Sequence, residues 1–208
     1  MFWNIDWGDI SRNHKIIGFT GLGLLLFYFV LSIFWGGFRG IFFRGLFMFV
    51  SFIVKPSMII VLVPIYINWI TSDFFQERKG TSFVNALTNG VAGSWICVEW
   101  IRMSVKVNSA DPNFLLLIGK IMLSLLVLLY AALVIKDAWK GEGVVRFIGR
   151  AREMGYISIM MTPIIYNAVP LSFSTLVAVI LMFPVFYGVI DFLEFAVIPT
   201  PKFMKKKL

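Results

Sequence analysis

Residues 45–70 read GLFMFVSFIVKPSMIIVLVPIYINWI, an apolar run interrupted in its middle by Lys55-Pro56 and again by Pro64. A membrane-spanning helix needs about 20 predominantly apolar residues to cross a hydrocarbon core roughly 30 Å thick. The run exceeds that length. A lysine at such depth is expensive unless it finds a partner, reaches the headgroups or lines a wet cavity. Each proline removes an N–H and crowds the carbonyl four residues upstream. Two outcomes are open: one kinked helix, or a short re-entrant segment before Lys55 followed by a span.

The rest of the chain asks for the same solvent. Hydrophobic residues fill 59% of the 208 positions, with 22 Phe and 7 Trp, against 14% charged. A water-soluble domain with so little polar surface cannot cover its core. The expected class is therefore all-α: a polytopic transmembrane helical bundle of about six spans, forming a single transmembrane domain over residues 1–208. Ile16–Trp35 is the first span. Asp6, Asp9, Arg12 and Lys15 precede it and no small-residue cleavage pattern occurs before Trp35, so it reads as a retained span and not a signal peptide.

Phe83–Met103, the third span, is more polar than the others. Ser82, Asn85, Asn89, Ala92, Ile96 and Glu99 follow at steps of three or four, which places them on one helical face. That face should turn from lipid toward other helices or an aqueous cavity, with Glu99 neutralised by Arg102 three residues on. Gly90 and Gly93 allow neighbouring backbones to approach. Asn113–Ile135 is the cleanest span; its Lys120 is expected to run its stem along apolar surface and set the ammonium among headgroups. Lys136, Asp137, Trp139 and Lys140 then form an interfacial edge.

Between about residues 140 and 155, Val144, Val145, Phe147, Ile148 and Ala151 are interleaved with Arg146, Arg150 and Arg152. This basic segment is expected to lie along the membrane surface with its arginines on lipid phosphates. Tyr156–Val169 is short for a crossing and reads as a thin or tilted span or a re-entrant arm. Leu171–Ile198 is the last span, carrying Asp191 and Glu194 on one face.

Short cytoplasmic loops carry an excess of Lys and Arg. Arg12 and Lys15, Arg78 and Lys79, the cluster from Lys136 to Arg152, and the terminal Lys202, Lys205, Lys206 and Lys207 all fall inside if the chain crosses six times with both termini cytoplasmic. Arg39, Arg44, Arg102 and Lys106 then lie outside. The expected location is the plasma membrane, as an integral protein.

No enzymatic motif stands out: there is no Walker-type phosphate loop, no His-Glu-x-x-His and no Cys-x-x-Cys. Cys97 is the sole cysteine and His14 the sole histidine, so neither a metal centre nor another cofactor is expected. The net charge of +8 is accounted for by membrane orientation and anionic lipid, and no nucleic-acid partner is expected. Partners should be membrane lipids and either further copies of the chain or a larger membrane complex.

Polar groups at membrane depth mark the candidate site: Lys55, Asn85, Asn89, Glu99, Asp191 and Glu194 as lining of a transport pathway. A channel or transporter for a small ion or polar solute is the leading reading. An accessory or assembly subunit is the first alternative. A lipid-modifying enzyme using Asp73, Glu77, Arg78 and Lys79 is the second, with a non-enzymatic role preferred.

Overall fold

The computed structural model describes the backbone over residues 7–75, 81–110 and 112–196, and the side chains over 16–72, 81–110 and 112–193. Everything regular in it is helical: α1 (Trp7–Phe34), α2 (Gly36–Val54), a 3-10 turn (Pro56–Met58), α3 (Ile59–Phe75), α4 (Phe83–Ala110), α5 (Phe114–Lys140), α6 (Val145–Ile148), α7 (Ala151–Ile165) and α8 (Phe173–Ala196). The protein is a polytopic helical membrane protein. Among the described residues, four helical stretches are long and apolar enough to cross a bilayer: Ile16–Phe34, Gly36–Val54, Phe114–Lys140 and Phe173–Leu193.

That number differs from the expected six, for separate physical reasons. The 45–70 run is two helices, because Pro56 cannot donate to the α2 ladder and holds Lys55 in an extended conformation at φ −123°, ψ 85°. Its second half, Pro56–Ser72, is apolar but short. The 28-residue α4 has length enough but carries a polar face. The 15-residue α7 is short and enclosed by protein. The stretch from Gly36 to Arg44, outside every span expected from the sequence, is helical as the start of α2.

The chain divides into two compact units, residues 1–44 with 177–208, and residues 45–176. In the first, α1 and α8 run antiparallel and touch backbone to backbone where Gly21 meets Gly188, a contact that any side chain would obstruct. Phe19 stacks edge-on to Phe192 beside this crossing, and Tyr28 meets Phe38 of α2 in the same way.

The second unit is built around α7. No side chain of this helix is exposed. α4 and α5 pair along their length, α4 presenting Gly90 so closely that an added methyl would stand 2.7 Å from Ile135 Cγ1. Ala86, Val134, Ala138 and Val145 close the end of this pair. α7 lies on the other flank, with Gly93 against Met154 of α7 and Trp100 donating to Thr162 Oγ1 at 3.1 Å. α3 covers it through Trp69, which packs on Gly155. A helix short for a crossing on its own is thus surrounded by protein instead of lipid.

Candidate functional site

A helix C-terminus leaves carbonyls without intrahelical partners, and at membrane depth each is costly. The end of α7 accounts for all of them. Tyr166 N–H donates to Thr162 O, Asn167 N–H to Ile164 O, and Ala168 and Val169 N–H to Pro163 O. Asn167 makes the turn in the left-handed region at φ 55°. The last two carbonyls are capped by lysines: Lys120 Nζ donates to Ile165 O at 3.2 Å and to Asn167 Oδ1, and Lys55 Nζ donates to Tyr166 O. Two ammonium groups therefore meet the negative end of the helix dipole.

This corrects the expectation for Lys120. It is 3% exposed and turned inward, not extended to the headgroups. The signal was in the sequence: Lys120 shares a face with Ser124, Val127, Ala131, Val134 and Ala138, all buried against neighbours.

Alongside α7, α3 and α4 are splayed and leave a groove of about 520 Å³, within the range of small-molecule sites. Ile60, Val61, Pro64, Ile65, Ile96 and Met154 line its apolar wall, and Ala92, Gly93 and Gly155 give it depth. Toward one end, Asn68 and Asn89 line the wall, and Ser158 lines it midway; Asn89 Nδ2 donates to Gly149 O at 2.9 Å and Asn68 Oδ1 accepts from Ser72 at 3.4 Å. At the other, Arg102 grips Glu99 with two hydrogen bonds, Nε to Oε2 at 2.7 Å and Nη2 to Oε1 at 2.6 Å. Tyr166 Oη donates to the same Oε1 at 3.3 Å, tying the pair to the turn that the lysines hold.

The structure thus brings Asn89 and Glu99 to one groove, and sets Lys55 at the end of α7 as a cap. Asn85 lies in the first turn of α4, its N–H accepted by Ser82 Oγ at 3.1 Å. Asp191 is buried on α8 in the first unit. The side chain of Glu194 lies outside the described residues, as do the side chain of Asp73 and all of Glu77, Arg78 and Lys79. Sequence reasoning missed Asn68, Ser158, Tyr166 and Asn167, which reach the site only through the packing of α3 and α7 on α4.

The expected surface helix over 140–155 does not form. Only Val145–Ile148 is helical before Gly149, and α7 starts at Ala151. Arg146 remains exposed and lies over the Phe83 ring at 5.2 Å; Arg150 is half-buried; Arg152 is 1% exposed, inside the protein. Among the described residues, no three His, Cys, Asp or Glu side chains gather where they could hold a metal ion.

Fold and groove define the class, an integral membrane protein of bundled helices. Compared with known protein families, curated proteins and solved structures, the chain matches none.

Proposed function

We propose that the chain is a transport protein that takes a small polar-headed solute into the α3–α4 groove, with Asn89 and Glu99 among its contacts. The groove itself carries this reading: an open recess of about 520 Å³ between helices, walled by apolar residues and ended by a charged pair. Intramembrane charged and polar side chains are costly and are retained where solutes pass. Lys55 acts in this scheme as a support for α7, on which the groove rests. The test is movement of a panel of ions, polar solutes and labelled phospholipids across vesicles holding the purified protein. Solute-selective uptake supports the reading, and vesicles tight to every solute in the panel oppose it.

That α2 is a helix of its own supports a proposal for the membrane topology. We infer that α1 to α5, α7 and α8 each cross once, an odd number that puts the termini on opposite sides. Arg39, Arg44, Arg78, Lys79, the cluster from Lys136 to Arg152 and the terminal lysines then share the cytoplasmic side. Arg12, Lys15, Lys55, Arg102, Lys106 and Lys120 are left opposite. Relative to six crossings it exchanges Arg12 and Lys15 for Arg39 and Arg44, so the basic excess on the cytoplasmic side is the same. It corresponds to an external amino terminus.

One observation favours an assembly role as a second reading. Val84, Val91, Val98 and Val105 repeat every seven residues on α4 and are all more than half exposed. A seven-residue β-branched stripe is suited to packing against another helix. A stable homodimer or partner complex that is lost on changing Val91 and Val98 to Leu, with no flux in the wild type, would select it.

A further inference from the structure

The chemistry of the groove narrows its occupant. An ion leaving water needs dipoles around it throughout its path, but the middle of this groove offers Pro64, Ile65, Ile96 and Met154 beside the single hydroxyl of Ser158. Toward the Asn89 end, the Asn89 amide donates to Gly149 O, and Asn68 Oδ1 accepts from Ser72 Oγ. That end and the middle therefore suit a hydrocarbon chain. From Asn89 to Arg102 the groove follows α4 for about 20 Å at the helical rise, comparable with the half-thickness of a hydrocarbon core of about 30 Å.

The other end suits a phosphate. Glu99 takes Nε and Nη2 of Arg102, which fixes the guanidinium plane and leaves its Nη1 edge outward on a side chain 63% exposed. Lys106 follows one turn later on α4 and is exposed. A guanidinium edge and an ammonium one turn apart form a donor set for a phosphate, and their charge exceeds that of Glu99. Trp95, 75% exposed at the rim, is an amphipathic ring of the kind that lies against lipid.

Resting on the groove as the working site, we propose that its occupant is a phospholipid of net negative charge, with one acyl chain along α4 and its phosphate held by Arg102 and Lys106. A lipid source is favoured over a soluble phosphate because the apolar wall continues directly from the phosphate end.

The experiment is lipid binding to the purified full chain in detergent, read by native mass spectrometry with phosphatidylglycerol, phosphatidylcholine or glycerol phosphate added. Wild-type protein should retain phosphatidylglycerol several-fold better than phosphatidylcholine and should not retain glycerol phosphate. Arg102→Gln with Lys106→Gln should erase the preference while leaving lipid bound. Ala92→Phe, which fills the groove from an exposed position, should remove binding of both lipids. Equal retention of the two lipids by wild type, with Ala92→Phe still abolishing binding, overturns the headgroup assignment and leaves the groove as the site. Unchanged binding in Ala92→Phe overturns the groove itself. Retention of glycerol phosphate alone rejects a lipid in favour of a soluble anion. Melting curves of each variant separate lost binding from lost fold.

Discussion

A single buried ammonium shows how sequence and structure part company. Lys120 lies close enough to the start of α5 to reach headgroups, and its stem is long enough to do so. It turns inward because the carbonyls ending α7 would otherwise face apolar surroundings unpaired. Lys120→Met keeps the stem and removes the charge. It should lower stability in detergent by about 2 kcal/mol, the scale of a hydrogen bond to a charged group. Lys136→Met, on an exposed side chain, should leave the melting temperature unchanged. Equal melting temperatures for the two variants would mean that Lys120 does not cap α7. That Lys55 needed a partner was legible from its setting. The identity of that partner was not, since Tyr166 lies 111 positions away and only the folding of α7 between α3 and α5 brings its carbonyl near.

Helices form here under a rule different from that of water, which is why the first half of α2 escaped the sequence reading. Gly36, Gly37, Gly40 and Gly45, with Arg39 and Arg44, look like a loop when glycine is charged its aqueous helix penalty. A bilayer leaves the backbone no alternative to internal hydrogen bonding, and glycines are common in its helices. The polar face of α4 was legible from its spacing, because steps of three and four need no tertiary knowledge. The glycines then differ by what they meet. Gly90→Ala places a methyl 2.7 Å from Ile135 Cγ1 and 3.2 Å from Ala131 O; overpacking of this kind costs about 1–3 kcal/mol. Gly40, with nothing within 4 Å of an added methyl, should accept Ala with stability unchanged or slightly raised. Thermal melts of the two variants, compared with wild type, check the α4–α5 packing directly.

For the molecule as a whole, the proposed odd number of crossings is testable apart from any activity. Reporters fused after Arg78, Arg150 and Lys206 should all be cytoplasmic, and a tag before Arg12 should be accessible from outside; a cytoplasmic amino terminus would restore an even count. The groove as the solute path can be probed with the fold held constant, because Cys97 is the sole cysteine and is fully buried. Ala92→Cys introduces a thiol at an exposed position on the groove wall. The decisive measurement is solute flux through vesicles containing Ala92→Cys protein, before and after modification with a bulky maleimide, beside wild type treated identically. Flux should be present before modification, abolished once the introduced thiol is modified, and unaffected in wild type. Undiminished flux through fully modified protein would contradict the groove as the path.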